Sequence, residues 1–350
     1  MRIQDTTAVD EQFLRAARPF WHPVARSKDV DPGQTVAVTL LEEELVLWRA
    51  PDGRLGLAND LCVHRGTRLS KGTVSDDGCV RCPYHGWMYD ATGACTLIPQ
   101  LPDGPIPAKA RVSAHQVDEH AGIVWACLVP AGEEARARPE FESTEQRGNY
   151  SYVGDVMDWA CQSGRQIENF LDIAHFSVIH IDVFGNPNVM EIDHFDVGRS
   201  DDGWQLTTLY NYPGVDPTGM VSGEVGSVAD IEFDYRVEIP FAVVLGSAIG
   251  DLPYVLSIAN QPVTAWTCKL YWVMSVPEDR AMPDEITEMS EQMVFHPDRA
   301  VVETQRPEQL PVDLQAELHL PFDRMSVAYR RRLAELGFPE KVGDVHAARM

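Results

Sequence analysis

Four residues in the first third of the chain constrain its fold most: Cys62-x-His64 and, seventeen residues on, Cys82-x-x-His85. Each of two loops carries one cysteine and one histidine. Each loop also follows a short strand-like run, LGLAND before the first and Cys79–Arg81 before the second. Two thiolates and two neutral imidazoles can hold a zinc ion, or a two-iron cluster with both sulfurs on one iron and both imidazoles on the other. Chance produces the pattern on the order of 10⁻³ times in a chain with this Cys and His content. Cys-x-His is tighter than the usual two-to-four-residue spacing of zinc knuckles, which favours the cluster. The remaining cysteines (Cys79, Cys95, Cys127, Cys161 and Cys268) bring the total to an odd seven, thinly spread. That is no disulfide framework, and these five read as small buried residues.

A second constellation lies in QIENFLDIAHFSVIH, as Asp172-x-x-His175-x4-His180. The stretch 159–181 reads as a helix carrying Glu168, Asp172 and both histidines. On such a helix Asp172 and His175 share a face, whereas His175 and His180 lie about 140° apart. They converge on one point only if the helix ends or unwinds between them. Two histidines and a carboxylate on one face of a metal leave open positions for substrate and O₂, the arrangement of non-haem Fe(II) oxygenases. Two satisfied polar histidines on a helix are the plainer alternative.

Along the chain, the stretch 34–50 with its TVAVTLLEEELVLWRA, a turn at Pro51-Asp52-Gly53 and the following LGLAND predict a β-hairpin or meander. Further short runs at Cys79–Arg81, Trp87–Tyr89 and Ile123–Val129 make the first third mostly β. Residues 131–149 are polar and charged, as expected of a linker. Long strand-like runs follow at 204–212, 229–249 and 254–276, with helices over 283–306 and about 323–336. The class is α+β: a small β domain, then a domain with a long antiparallel sheet. The runs 204–212, 231–249 and 254–276 and the loop NYPGVDPTGMVSG are expected to wall a pocket, with Tyr210, Phe233, Phe241, Leu256 and Trp272 as aromatic and apolar candidates.

CVH and CPYHGW resemble the Rieske [2Fe–2S] motif, with Tyr84, Gly86 and Trp87 at its usual flanks. With NFLDIAHFSVIH about 90 residues later, the joint arrangement resembles the α subunit of Rieske non-haem iron oxygenases. FWHPVARSKDV, CPYHGWMYDATGACTLIPQ, and VVETQRP through DRMSVAYRRRL extend the likeness over most of the chain. It is nearer the branch of caffeine N-demethylases and saxitoxin-pathway hydroxylases than the naphthalene-type dioxygenases.

The resemblance implies an all-β Rieske domain with an N-terminal extension over 1–140. A helix-grip (START-like) catalytic domain would follow over 141–350. It implies that Cys62, His64, Cys82 and His85 bind the cluster and that His175 and His180 bind a mononuclear Fe(II). Asp172 would bridge to a cluster histidine of a neighbouring subunit, and Asn169 would sit near the iron. Asp298, in FHPDRAVVETQRPEQLP, takes the third ligand position. After Pro297 it could instead be a helix-starting charge, with Glu303 as the second candidate ligand; His296 is out of register. No GxGxxG occurs, so electrons from NAD(P)H are expected through a separate reductase, with or without a ferredoxin. A homotrimer with head-to-tail contacts is implied. The expected activity is O₂-dependent hydroxylation or N-/O-demethylation of a small, ring-containing substrate. A cis-dihydroxylating dioxygenase and a pure Rieske electron carrier are the alternatives.

Charge narrows the partners. Twenty-nine Lys and Arg against 53 Asp and Glu give a net charge of −24, which repels nucleic acid and anionic membrane surfaces. No run approaches the roughly 18 apolar residues of a membrane span, and the N-terminus lacks the pattern of a signal peptide, so a cytoplasmic protein is expected.

Overall fold

The computed structural model describes residues 7–130, 135–141, 150–181, 183–215, 228–249 and 252–340. Most of the expected linker 131–149 and the loop portion 216–223 lie outside the described residues. The chain divides into two compact units, Arg18–Arg138 and the remainder on either side of it. Residues 7–17 therefore pack with the second unit, not with the β domain they precede. The reason lies in α1 (Thr7–Ala17). Its Phe13 ring sits 6.0 Å from that of Phe241 and 5.7 Å from that of Phe338. Its Asp10 carboxylate accepts hydrogen bonds from Trp266 Nε1 (3.1 Å) and Gln309 Nε2 (2.7 Å).

The Arg18–Arg138 unit is built from antiparallel strands: β1 (His22–Arg26), β2 (Thr35–Leu40), β3 (Glu43–Arg49), β4 (Leu55–Asn59), β5 (Thr73–Val74), β6 (Val80–Arg81), β7 (Met88–Tyr89), β8 (Cys95–Leu97), β9 (His115–His120) and β10 (Ile123–Pro130). They form three sheets, β1-β10-β9, β2-β3-β4 and β5-β6-β7-β8. The run 34–50 is two strands, because Leu41 and Glu42 take φ of 51° and 64° and turn the chain between β2 and β3. Val46, Trp48, Ala58, Leu69, Val80 and Tyr89 enclose Cys62 and Cys82 in one buried cluster.

The second unit is dominated by an antiparallel sheet in the order β11-β18-β17-β16-β15-β14-β13, with β12 also pairing with β18. Its strands are β11 (Tyr150–Val153), β12 (Met157–Trp159), β13 (Gly198–Arg199), β14 (Gln205–Val215), β15 (Val228–Glu238), β16 (Ala242–Ile249), β17 (Leu252–Pro262) and β18 (Cys268–Val276). Two expected runs each split into a hairpin. The run 229–249 turns at Ile239–Phe241, where Pro240 offers no N–H to a ladder. The run 254–276 turns at 263–267, where Thr264 Oγ1 accepts the Trp266 and Thr267 N–H groups at 3.0 Å. In β15, Ile231, Phe233, Tyr235 and Val237 alternate inward, while Glu232 and Asp234 face out.

Helices cover this sheet. The expected helix 159–181 is two: α2 (Ser163–Leu171) and the single turn α3 (Phe176–Ile179). The helix Asp284–Val302 buries Thr287, Glu291, Phe295, Asp298 and Val302, a stripe at spacings of four, four, three and four. Asp298 thus lies well inside the helix, and the reading of it as a helix-starting charge is corrected. Pro297 removes one N–H from the ladder without ending it. The last helix, Arg324–Glu335, anchors α2 through Arg330, which is 2% exposed. Its guanidinium donates to both Glu168 oxygens (2.5 and 2.6 Å), to the Pro311 carbonyl (2.8 Å) and to Glu317. Removing it leaves Glu317 on Arg165 alone (2.7 Å) and Glu168 with only a looser Arg165 contact at 3.7 Å. Arg330→Met should lower the unfolding free energy by about 3–5 kcal/mol, read from urea denaturation of the wild type and variant.

Candidate metal centres

The two motif loops of the β domain are the same turn made twice. The Cys62 N–H donates to the Thr67 carbonyl (2.9 Å), and the Gly66 N–H donates back to the Cys62 carbonyl (2.9 Å). In the second loop the Cys82 N–H donates to Trp87 (2.8 Å) and the Gly86 N–H to Cys82 (3.0 Å). Gly66 and Gly86 take φ of 67° and 73°, which a side chain would resist. Both thiols are buried at 2% exposure, while His64 and His85 are only partly covered and their rings lie 4.5 Å apart. The Tyr89 hydroxyl lies 3.1 Å from Cys62 Sγ. Trp87 stacks on the His64 ring at 4.6 Å.

Burial pushes the Cys62 thiol above its ordinary range. Partial desolvation, with His85 alongside, lowers the His64 pKa and keeps the ring neutral. His64 Nδ1 is buried with no hydrogen-bond partner among the described residues. Two inner sulfurs and two outer, solvent-side imidazoles suit an asymmetric two-iron cluster.

The second centre is set by a break in the chain. At Asp172 the backbone turns extended (φ −83°, ψ 121°), ending α2. The Asp172 carboxylate accepts the Ala174 N–H at 2.7 Å, the local turn that aspartate favours. His175 and His180 then flank α3 as its two caps. Their Nε2 atoms lie 3.1 Å apart, and Asp298 Oδ1 lies 3.6 Å from the first and 3.2 Å from the second. All three donor atoms fall within 4.8 Å of one another. A proton between the two Nε2 atoms still leaves Asp298 Oδ1 buried with no hydrogen-bond partner among the described residues. A divalent cation satisfies all three donor atoms at once. Iron, with imidazole and carboxylate ligands, fits the donor set.

The loop after α3 holds His180 in place. The Val183, Phe184 and Gly185 N–H groups all donate to the His180 carbonyl, at 2.9, 3.1 and 2.7 Å. Tyr212 of β14 accepts the Asn186 N–H at 2.8 Å and contacts Ser177 Oγ at 2.7 Å. A Cβ on Gly185 would come within 2.1 Å of the Phe176 carbonyl oxygen, so only glycine fits.

The triad opens into a cavity of about 510 Å³ between the sheet and the helix Asp284–Val302. Of the expected wall residues, Phe233 and Leu256 line it, whereas Tyr210, Phe241 and Trp272 are buried elsewhere. On the triad's other side, Asn169 and Asp172 line a smaller cavity of about 220 Å³ with His175 and Asp298. Asn169 Oδ1 is buried without a hydrogen-bond partner among the described residues. Asp172 keeps a side chain 39% exposed, 3.7 Å from His175 Nδ1. Glu303 is committed elsewhere, accepting the Ala160 N–H (2.9 Å) and Arg299 Nε (2.8 Å), and His296 is exposed. Sequence reasoning passed over Glu291, although a carboxylate seven residues before Asp298 falls about 20° from it on the same helix face.

Residues 20–113 match the Rieske [2Fe-2S] domain family, and residues 159–337 match the vanillate O-demethylase oxygenase C-terminal domain family. The chain is 31% identical over 334 residues to methylxanthine N1-demethylase NdmA of Pseudomonas putida, covering 93% of this chain and 91% of that one. It is 29% identical over 340 residues to methylxanthine N3-demethylase NdmB of the same organism, covering 93% and 90%. The solved structure of Pseudomonas putida NdmA with caffeine superposes with a TM-score of 0.82 at 30% identity, covering 93% and 92%.

Gly185→Ala is expected to cut the divalent metal bound by the second unit by more than half, measured by metal analysis after iron loading. The visible spectrum of the β domain should not change.

Proposed function

The chain belongs to the Rieske non-haem iron oxygenases, and from that premise we propose that it is the terminal oxygenase of a demethylating system acting on a small, ring-containing substrate. One observation carries the reading: the triad His175, His180 and Asp298 opens into a large, mostly apolar cavity of about 510 Å³. A cavity of that size suits a small ring compound, and the open side of the triad suits O₂ and substrate together. We assign the [2Fe–2S] cluster to Cys62, His64, Cys82 and His85 in the Arg18–Arg138 unit, and Fe(II) to the triad in the other unit. The two metal groups supply stored electrons and O₂ activation when bound.

The chain's own residues do the rest. The cavity's aromatic and aliphatic wall excludes water and holds the ring against the triad. Asp172, half-exposed beside His175, is the residue we assign to the hydrogen bond with a cluster histidine of a neighbouring copy. That role needs a closed ring of copies, and we take it to be a homotrimer. Electrons come from NAD(P)H through a separate reductase, directly or by way of a ferredoxin. Asn169, its Oδ1 unpartnered beside the triad, is assigned to orienting a ligand or water there.

An N-methyl group, O₂, two electrons and two protons give the N–H product, formaldehyde and water. The hydroxylated methyl loses formaldehyde when its C–N bond breaks. N-demethylation is preferred to simple hydroxylation because NdmA and NdmB resemble the chain over 93% of its length. A cytoplasmic site of action goes with seven cysteines that are all free.

The test is formaldehyde release from N-methylated ring compounds by purified oxygenase with a Rieske-oxygenase reductase, NADH and O₂. Asp172→Asn should lower turnover by at least about tenfold, while the cluster's visible and EPR spectra stay unchanged. Unchanged turnover in that variant contradicts the bridging role.

A further inference from the structure

The stripe that carries Asp298 buries a second carboxyl. Glu291 is 7% exposed, two helical turns before Asp298, and lines the same cavity. Its Oε2 is buried and has no hydrogen-bond partner among the described residues. A buried carboxyl oxygen left unpaired is costly, so natural structures almost always give it a partner. The cavity that Glu291 lines is where such a partner can enter.

Among the described residues, no cation offsets the burial of Glu291. Glu288 on the same helix is itself acidic and already accepts from Tyr152 Oη (3.0 Å) and the Asp155 N–H (3.0 Å). Tyr150 on β11 donates to Asp284, and Tyr235 on β15 and Tyr254 on β17 present phenols. Arg280 stands at the mouth with its side chain 54% exposed, beside Asp279. His175, His180 and Asp298 belong to the metal. Desolvation, with Glu288 adding to it, pushes the Glu291 carboxyl up to about 8, so below that pH it is a neutral acid with an O–H to donate.

We propose that Glu291 is the substrate-recognition residue of this cavity, donating its carboxyl O–H to a carbonyl oxygen or ring nitrogen of an uncharged ring substrate. The inference rests on the demethylase reading and adds its specificity. The surrounding wall includes Phe170, Phe233, Leu245, Leu256 and Met274, so one well-placed polar group fixes orientation. Seven helical residues separate Glu291 from Asp298 by about 10 Å along the axis. A small ring compound held at Glu291 spans that distance with its methyl group toward the triad. Aromatic carboxylates are disfavoured, because their charge would have to be desolvated in an apolar wall near the acidic Glu288. A cationic amine gains little, since the ion pair would have to be desolvated in an apolar wall.

The experiment is calorimetric titration of the iron-loaded wild type, Glu291→Gln and Glu291→Leu with caffeine, N-methyl-2-pyridone, benzylamine and benzoate. Wild type should bind at least one of the two uncharged carbonyl probes, and more than about tenfold tighter than benzoate or benzylamine. Glu291→Gln, which keeps a donor of the same shape, should stay within about threefold, and Glu291→Leu should lose about tenfold or more. Raising pH through 8 ionises Glu291 and removes its proton. Wild-type affinity should therefore fall about tenfold per pH unit above 8, while Glu291→Gln stays flat.

Three results overturn the proposal: undiminished affinity in Glu291→Leu, no binding of either uncharged probe to wild type, or tightest binding of benzylamine with loss in Glu291→Gln. Formaldehyde release by wild type alongside undiminished Glu291→Leu affinity would sink this inference and leave the demethylase reading. Glu291-dependent binding without formaldehyde release from any N-methylated ring compound would do the reverse.

Discussion

Two histidines five residues apart cannot face one point on an unbroken helix, because about 140° separates them. The break at Asp172 resolves that conflict, and much of the second unit serves to hold it. Asp172 supplies the break itself, its carboxylate taking the Ala174 N–H while its backbone leaves the helix. The segment beyond is then one helical turn, too short to persist alone. Tertiary contacts hold it instead: three N–H groups on the His180 carbonyl, Gly185 passing beneath, and Tyr212 reaching from β14. The register of β14 against β15 fixes Tyr212 opposite Ile231, so the sheet determines where the histidines stand. On the other side, Arg330 clamps α2 through Glu168.

The helix Asp284–Val302 carries the complementary half. A buried stripe that includes two carboxyls costs stability in the protein alone. At Asp298 the proposed cation, shared with two imidazoles, would offset the cost. At Glu291 it is offset by a proton and, on our account, by the substrate. On this proposal the same helix face would bind the metal at one level and read the substrate two turns away. Change in one site need not disturb the other.

Much of this was legible in the chain. The Cys-x-His and Cys-x-x-His loops stand out because a turn closed by Gly66 and Gly86 needs those residues in sequence order. The strands of β14 and β15 could be read from alternation. What escaped notice had physical reasons. The turn at Leu41-Glu42 uses residues that rarely take positive φ, so two strands read as one. The split of 159–181 carries no proline or glycine at the break; it depends on an aspartate turn that only tertiary contacts make worthwhile. Asp298 after Pro297 looked like a helix start, yet the helix runs through. Nothing in the sequence around Glu291 marks it as buried; its burial depends on the sheet that covers the helix. The allegiance of α1 to the second unit rests on Phe13, Asp10 and contacts more than 200 residues away.

The central claim is that one chain holds two separate iron groups, and that His175 belongs to the mononuclear one. The most direct measurement is iron and acid-labile sulfide per chain, with the EPR spectrum of the reduced protein, for wild type and His175→Ala. The account predicts about three irons and two sulfides in wild type, falling to about two and two in the variant with the cluster signal unaltered. A variant that keeps its third iron, or a colourless wild type loaded with zinc, would contradict it.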